Sequence, residues 1–123
     1  MDESKPPLVV AVVEDDAASR TALGRLLRAA GFEAALFESA EAYLAASPVA
    51  TCLVVDVYLP GMSGIELQQR LRAAGHAEPI IVTTSRHDEA IRERAQQNRC
   101  AAFFWKPVDG HALTATIASL ANR

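Results

Sequence analysis

The chain has 123 residues, 50% of them hydrophobic and 22% charged, with a formal net charge of −3. That length suits one domain built around one core. The charge argues against nucleic-acid binding by bulk electrostatics, and apolar runs such as "LVVAVV" (8–13) fall far short of the roughly 18 residues that span a membrane.

The opening "MDESKPP" (1–7) lacks the apolar stretch of a signal peptide and reads as a loose tail before a domain over 8–123. "LVVAVV" (8–13) is a short continuous apolar run, as expected of a strand buried on both faces. Residues 17–30 follow as a helix, with Leu23, Leu26, Leu27 and Ala30 on one stripe and Gly31 as its stop. "EAALF" (33–37) is a weaker strand. Ser39 caps a short helix that ends before Pro48. "TCLVVDV" (51–57) is a second clear strand, and Ser63-Gly64 opens a helix with Leu67, Leu71 and Ala74 on one face. "PIIVTT" (79–84) is a third clear strand. Residues 87–97 form a helix whose only large apolar residue is Ile91. "AAFFW" (101–105) is the last strand, and "DGHALTATIASLA" (109–121) the last helix, with Leu113, Ile117 and Leu120 inward.

Five strand–helix units of this kind predict an α/β fold, a doubly wound parallel sheet with helices on both faces. Such folds place function beyond the carboxyl ends of the strands. Strand one runs into Glu14, Asp15 and Asp16, strand three into Asp56, strand four into Thr84 and Ser85, and strand five into Lys106 and Pro107. Several acids at one edge repel unless a cation sits among them. Oxygen-only ligands favour a hard ion such as Mg²⁺. Of 12 basic residues, only Lys5 and Lys106 are lysines, and a flexible point charge at a strand end suits a phosphate.

Read singly, each of these blocks has a plainer explanation: "EDD" can cap a helix, "VVD" can be a solvated strand end, and Thr84-Ser85 and Lys106-Pro107 can be turns. Together they are far more specific. "VVEDD", "VVDVYLPGMSG", "PIIVTTS" and "FFWKP" stand in the order and at the spacing of the four signature blocks of the receiver domain of bacterial two-component (phosphorelay) response regulators. The chain resembles that family over residues 8–121. The resemblance implies a receiver-like, flavodoxin-like sheet in the order 2-1-3-4-5 with five helices. It implies a signalling phosphoacceptor rather than an enzyme with a separate substrate, active in the cytoplasm. Asp56 would take a phosphoryl group from a sensor histidine kinase or a histidine phosphotransfer protein. Asp15, Asp56 and the Tyr58 backbone carbonyl would hold Mg²⁺, with Glu14 direct or through water. Lys106 would pair with phosphoryl oxygens. Thr84 and Phe103 would form the switch, and Pro107 would follow a cis peptide bond.

Some residues lie outside that pattern. Tyr58 either overhangs the phosphoryl group or is a solvated loop residue. Asn98 is expected to supply a left-handed turn before the last strand, because Arg99 occupies the place of the family's glycine. Trp105 shares a strand face with Phe103. It is either an edge-strand residue or part of a surface over 87–121 that meets a second copy or an output partner. His76, His87 and His111 have no ligand spacing and read as solvated, with His87 nearest the site. Cys52 and Cys100 lack CxxC or Cys/His spacing and read as small core residues in a reducing cytoplasm. A haloacid-dehalogenase-type phosphohydrolase needs a second acid where Tyr58 stands. A flavodoxin needs a phosphate cradle where three acids stand. A receiver that only binds proteins is the remaining alternative.

Overall fold

The computed structural model describes residues 8–121. The expected tail (1–7) and the last two residues of the expected domain lie outside them. Five parallel strands, β1 (Val9–Val13), β2 (Glu33–Phe37), β3 (Cys52–Asp56), β4 (Ile80–Thr84) and β5 (Ala102–Trp105), form one sheet in the order β2-β1-β3-β4-β5. Five helices alternate with them: α1 (Ala17–Ala29), α2 (Ala40–Ala46), α3 (Gly64–Ala73), α4 (Glu89–Gln97) and α5 (Gly110–Ala121).

The continuous apolar runs belong to the interior strands, because helices cover both of their faces. β3 and β4 are buried along their whole length, whereas edge strands β2 and β5 have no fully buried residue. Side-chain alternation splits the core in two. Val13, Val55 and Val82 face one layer with Tyr43, Ile65 and Leu67 of α2 and α3. Val12, Val54 and Ile81 face the other, with Leu27 of α1 and Leu113 and Ile117 of α5.

The helix starts follow capping chemistry. Asp16, Ser39, Ser63 and Asp88 each accept a hydrogen bond from a first-turn amide. Ser63 and Glu66 complete a reciprocal capping box. Asp88 delays the fourth helix to Glu89, two residues later than the sequence suggests, because a cap residue is itself extended. Two apolar stripes are also narrower than expected. Ala30 and Ala74 are C-caps and exposed, while Ile65 and Gln68 are buried on α3 instead.

The turn after α4 corrects the expectation for Asn98. Its φ is −93°, and Arg99 takes the left-handed conformation at φ 62°. Arg99 N–H donates to Gln96 and Cys100 N–H to Ala95, the reversed bond pair that closes a helix around one left-handed residue. Position in that motif decides which residue must be left-handed, whatever its side chain. From α3, Gln68 Nε2 donates to the carbonyls of Ala95 (2.9 Å) and Asn98 (3.0 Å), and Arg72 Nη2 donates to that of Arg99 (3.1 Å). The carbonyls of Asn98 and Arg99 are ones that a helix end leaves short of partners, and that of Ala95 gains a second donor. Gln68 and Arg72 therefore fasten the foot of α4 to α3.

Candidate functional site

The carboxyl rim gathers side chains that the same alternation aims one way. Glu14 follows Val13, Asp56 follows Val55, and Lys106 lies beyond Trp105. Each is the next residue after one that faces the α2–α3 layer, so each leans toward the α1–α5 side of the rim. They meet there. Lys106 Nζ lies 2.5 Å from Glu14 Oε1 and 3.2 Å from Asp56 Oδ1. Glu14 and Asp56 are only 2% and 7% exposed. Carboxylates that deep need a partner, and one lysine serves both.

Glu14 spends its second oxygen on the backbone N–H of Asp16 at 3.1 Å. Asp16 spends its own carboxylate on capping α1 through Ser19 N–H at 2.8 Å. Of the three consecutive acids, only Asp15 has a carboxylate with neither a hydrogen-bond nor a salt-bridge partner among the described residues, and it is exposed. Carboxylate oxygens of Glu14, Asp15 and Asp56 lie within 4.8 Å of one another. The group offers oxygen donors alone, which fits a hard divalent cation. No histidine or cysteine belongs to it, and among the described residues this is the one such cluster.

The electrostatics follow from burial. Asp56 is pushed up to about 6 from an ordinary value near 3.8, chiefly by desolvation; Lys106 opposes the shift and Glu14 adds to it. For Lys106, burial favours loss of the proton. The Glu14 hydrogen bond and the charge of Asp56 outweigh it, and its pKa is raised. A cation entering beside Asp15 and Asp56 would relieve the remaining repulsion.

Thr84 and Phe103 belong to the other side of the sheet. Thr84 is fully buried, and its hydroxyl oxygen accepts from Arg86 N–H at 3.2 Å. Phe103 packs against the α2–α3 core layer and meets Trp105 edge-on, 4.8 Å between ring centres. His87 stacks on the outer face of Trp105 at 4.6 Å. So His87, expected to be the exception among the histidines, is exposed but held by stacking; His76 and His111 are exposed. The Lys106–Pro107 peptide bond is cis.

The loop from Val57 to Ser63 lies over a cleft of about 470 Å³ lined by Asp15, Tyr58, Leu59, Pro60, Ile91 and Arg94. The Tyr58 ring is half-buried beneath the Arg86 guanidinium, 4.3 Å from the ring centre. Arg86 escaped the sequence reading. Its signal was available, because it lies two residues beyond Thr84 at a strand end where other site residues were sought.

An α/β sheet in this order, with three acids and a lysine at its carboxyl rim, defines a receiver-type phosphoacceptor module. The model of the response regulator receiver domain matches residues 10–118, and the chain belongs to that family. It is 40% identical over 110 residues to the transcriptional regulatory protein FixJ of Bradyrhizobium diazoefficiens, covering 88% of this chain and 54% of that protein. It is 37% identical over 120 residues to nodulation protein W of the same organism, covering 95% of this chain and 53% of that one. The chain thus spans about half the length of these curated relatives. Among solved structures, the N-terminal domain of FixJ superposes with a TM-score of 0.86 at 28% identity, covering 97% of each chain. The response regulator StyR superposes at 0.85 and 37% identity, covering 95% of this chain and 60% of that one. The function is accordingly that of a receiver: to accept a phosphoryl group in signalling.

Proposed function

We propose that Asp56 is the phosphoacceptor and that the rim around it is a Mg²⁺-dependent phosphoryl-transfer site. One observation carries this reading: the nearly buried Asp56 carboxylate sits 3.2 Å from Lys106 Nζ and inside the Glu14–Asp15–Asp56 cluster. The chemistry needs alignment and charge neutralisation more than covalent machinery. An Asp56 oxygen attacks phosphorus of a phosphohistidine, the O–P bond forms, and the P–N bond breaks. The freed imidazole leaves neutral after taking a proton from solvent. Asp15, Asp56 and the Tyr58 carbonyl would hold the metal, with Glu14, whose oxygens already accept from Lys106 and Asp16 N–H, assisting directly or through water. Bound there, Mg²⁺ supplies positive charge to the phosphoryl oxygens. Lys106 releases Asp56 to the incoming group and pairs with a phosphoryl oxygen.

The chain catalyses its own phosphorylation but acts as a signalling protein in the cytoplasm, with residues 8–123 as the receiver. The domain itself does not bind nucleic acid; the net charge of −3 supports this. Thr84 leaves Arg86 N–H for the phosphoryl group, and Phe103 turns into the space released. The change alters the face formed by 87–121, including Trp105, for a second copy or an output partner. Tyr58, under Arg86, covers the approach of hydrolytic water.

With acetyl phosphate and Mg²⁺, intact-mass spectrometry is expected to show one added phosphoryl group. Asp56→Asn removes it and Asp15→Ala nearly so. Full labelling of Asp56→Asn would overturn the assignment.

A further inference from the structure

The loop after Asp56 is fastened at its two ends by its own strand and helix. Val57 N–H donates to Thr83 of β4, and Ser63 and Glu66 close the capping box of α3. The stretch between them, 58–62, carries the Tyr58 carbonyl. Among the described residues it makes one hydrogen bond to another element: Met62 N–H donates to Glu41 Oε2 at 2.8 Å, across 21 positions of sequence. Glu41 is in the first turn of α2, where an acid ordinarily serves only the helix dipole. Here its carboxylate reaches past its own helix end. The backbone of Gly61 is shaped to admit it. Gly61 has φ +76°, and a Cβ there would lie 2.5 Å from Glu41 Oε2. The carboxyl group of Glu41 is held below its ordinary range, first by this amide of Met62 and then by its own backbone N–H.

We infer that Glu41 is a positioning residue for phosphoryl transfer: through Met62 it fixes the loop that presents the Tyr58 carbonyl and Tyr58 ring to the site. The inference rests on the proposed Mg²⁺ and phosphoacceptor site. Magnesium tolerates little departure from octahedral geometry, so a carbonyl on a loosened loop binds it less well. The outer residues that orient metal ligands commonly govern affinity by tenfold or more. Glu41 touches neither metal nor phosphoryl group and acts only through the loop.

The test uses Glu41→Ala and Glu41→Gln in the full chain, with amide hydrogen exchange over 57–63, Mg²⁺ titration and acetyl phosphate labelling. Glu41→Ala is expected to speed exchange in the loop several-fold. It is expected to weaken Mg²⁺ binding by about tenfold and to slow labelling at sub-saturating metal, with the maximal rate at saturating metal retained. Glu41→Gln, whose amide oxygen still accepts from Met62 N–H, is expected to restore all three. Unchanged loop exchange in Glu41→Ala overturns the inference, and so does failure of Gln to rescue. Loop exchange is read without metal or phosphate. A wild-type chain that neither binds Mg²⁺ nor labels therefore overturns the proposed function, whereas a labelling chain with an indifferent Glu41 overturns only the positioning role.

Discussion

The two ends of α4 are held in opposite ways. At its foot, Ala95 is buried, the closing turn is complete, and Gln68 and Arg72 of α3 take three of its carbonyls. At its head, residues 85–90 are exposed, and Asp88 caps the helix by itself through Ala90 N–H. Ile91 is its one large apolar anchor, and it lines the cleft under the Tyr58 loop. The foot lies at the amino edge of the sheet and the head at the carboxyl edge, beside Thr84. Order is concentrated where no chemistry is expected, and the weakly held end faces the acidic rim. Low local stability is what a responsive segment requires.

Breaking the rim should produce the largest change in stability. Asp56 has a folded-state pKa of about 6 against about 3.8 for the free group. Because the folded form holds this proton more tightly, its contribution is favourable below pH ~4 and is lost as pH rises to about 6. The metal-free wild type should therefore lose roughly 2–3 kcal/mol from this group across that window. Asp56→Asn should be the more stable protein above pH 6 and lose its advantage near pH 4. Urea titrations in chelator at both pH values measure this, and equal differences at the two would refute it.

Breaking the foot comes next. Gln68→Ala removes two hydrogen bonds to buried or half-buried carbonyls and leaves a small void. It should cost about 1–3 kcal/mol. Labelling of Asp56 should persist, while hydrogen exchange across 89–98 rises toward that of the helix head. Loss of labelling in a folded Gln68→Ala would show that the two ends are not separable. Arg99→Gly should go the other way by about 1 kcal/mol, since it relieves a left-handed conformation at a non-glycine residue. An unchanged melting temperature would place no strain there. The smallest effect is optical. Trp105 is the single tryptophan, capped by His87 on one side and met by Phe103 edge-on. Its emission should shift on phosphorylation in wild type and stay fixed in Asp56→Asn. His87→Ala should shift it without phosphate. A Trp105 signal blind to phosphorylation would detach this face from the switch.

The sequence by itself determined the five strands, their parallel winding and the rim at which Glu14, Asp15, Asp56 and Lys106 gather. It could do so because buried strands write their burial as unbroken apolar runs. A polar residue ending each run must then fall at the same edge. Capping residues are equally local, so Ser39 and Ser63 were legible as helix starts. What the tertiary structure decided was how those side chains are shared. Glu14 spends both oxygens on Lys106 and Asp16, Asp16 serves its own helix, and Asp15 remains exposed. It also decided the tie from Glu41 to Met62, the cover of Arg86 over Tyr58 and the fastening of α4 by Gln68. Each joins residues far apart in the chain or across a loop, through side chains whose types are ordinary for an exposed helix or turn. Periodicity records which face is buried. It carries no mark of which distant amide, carbonyl or ring a long polar side chain will reach, because that depends on where the packed sheet brings the other element.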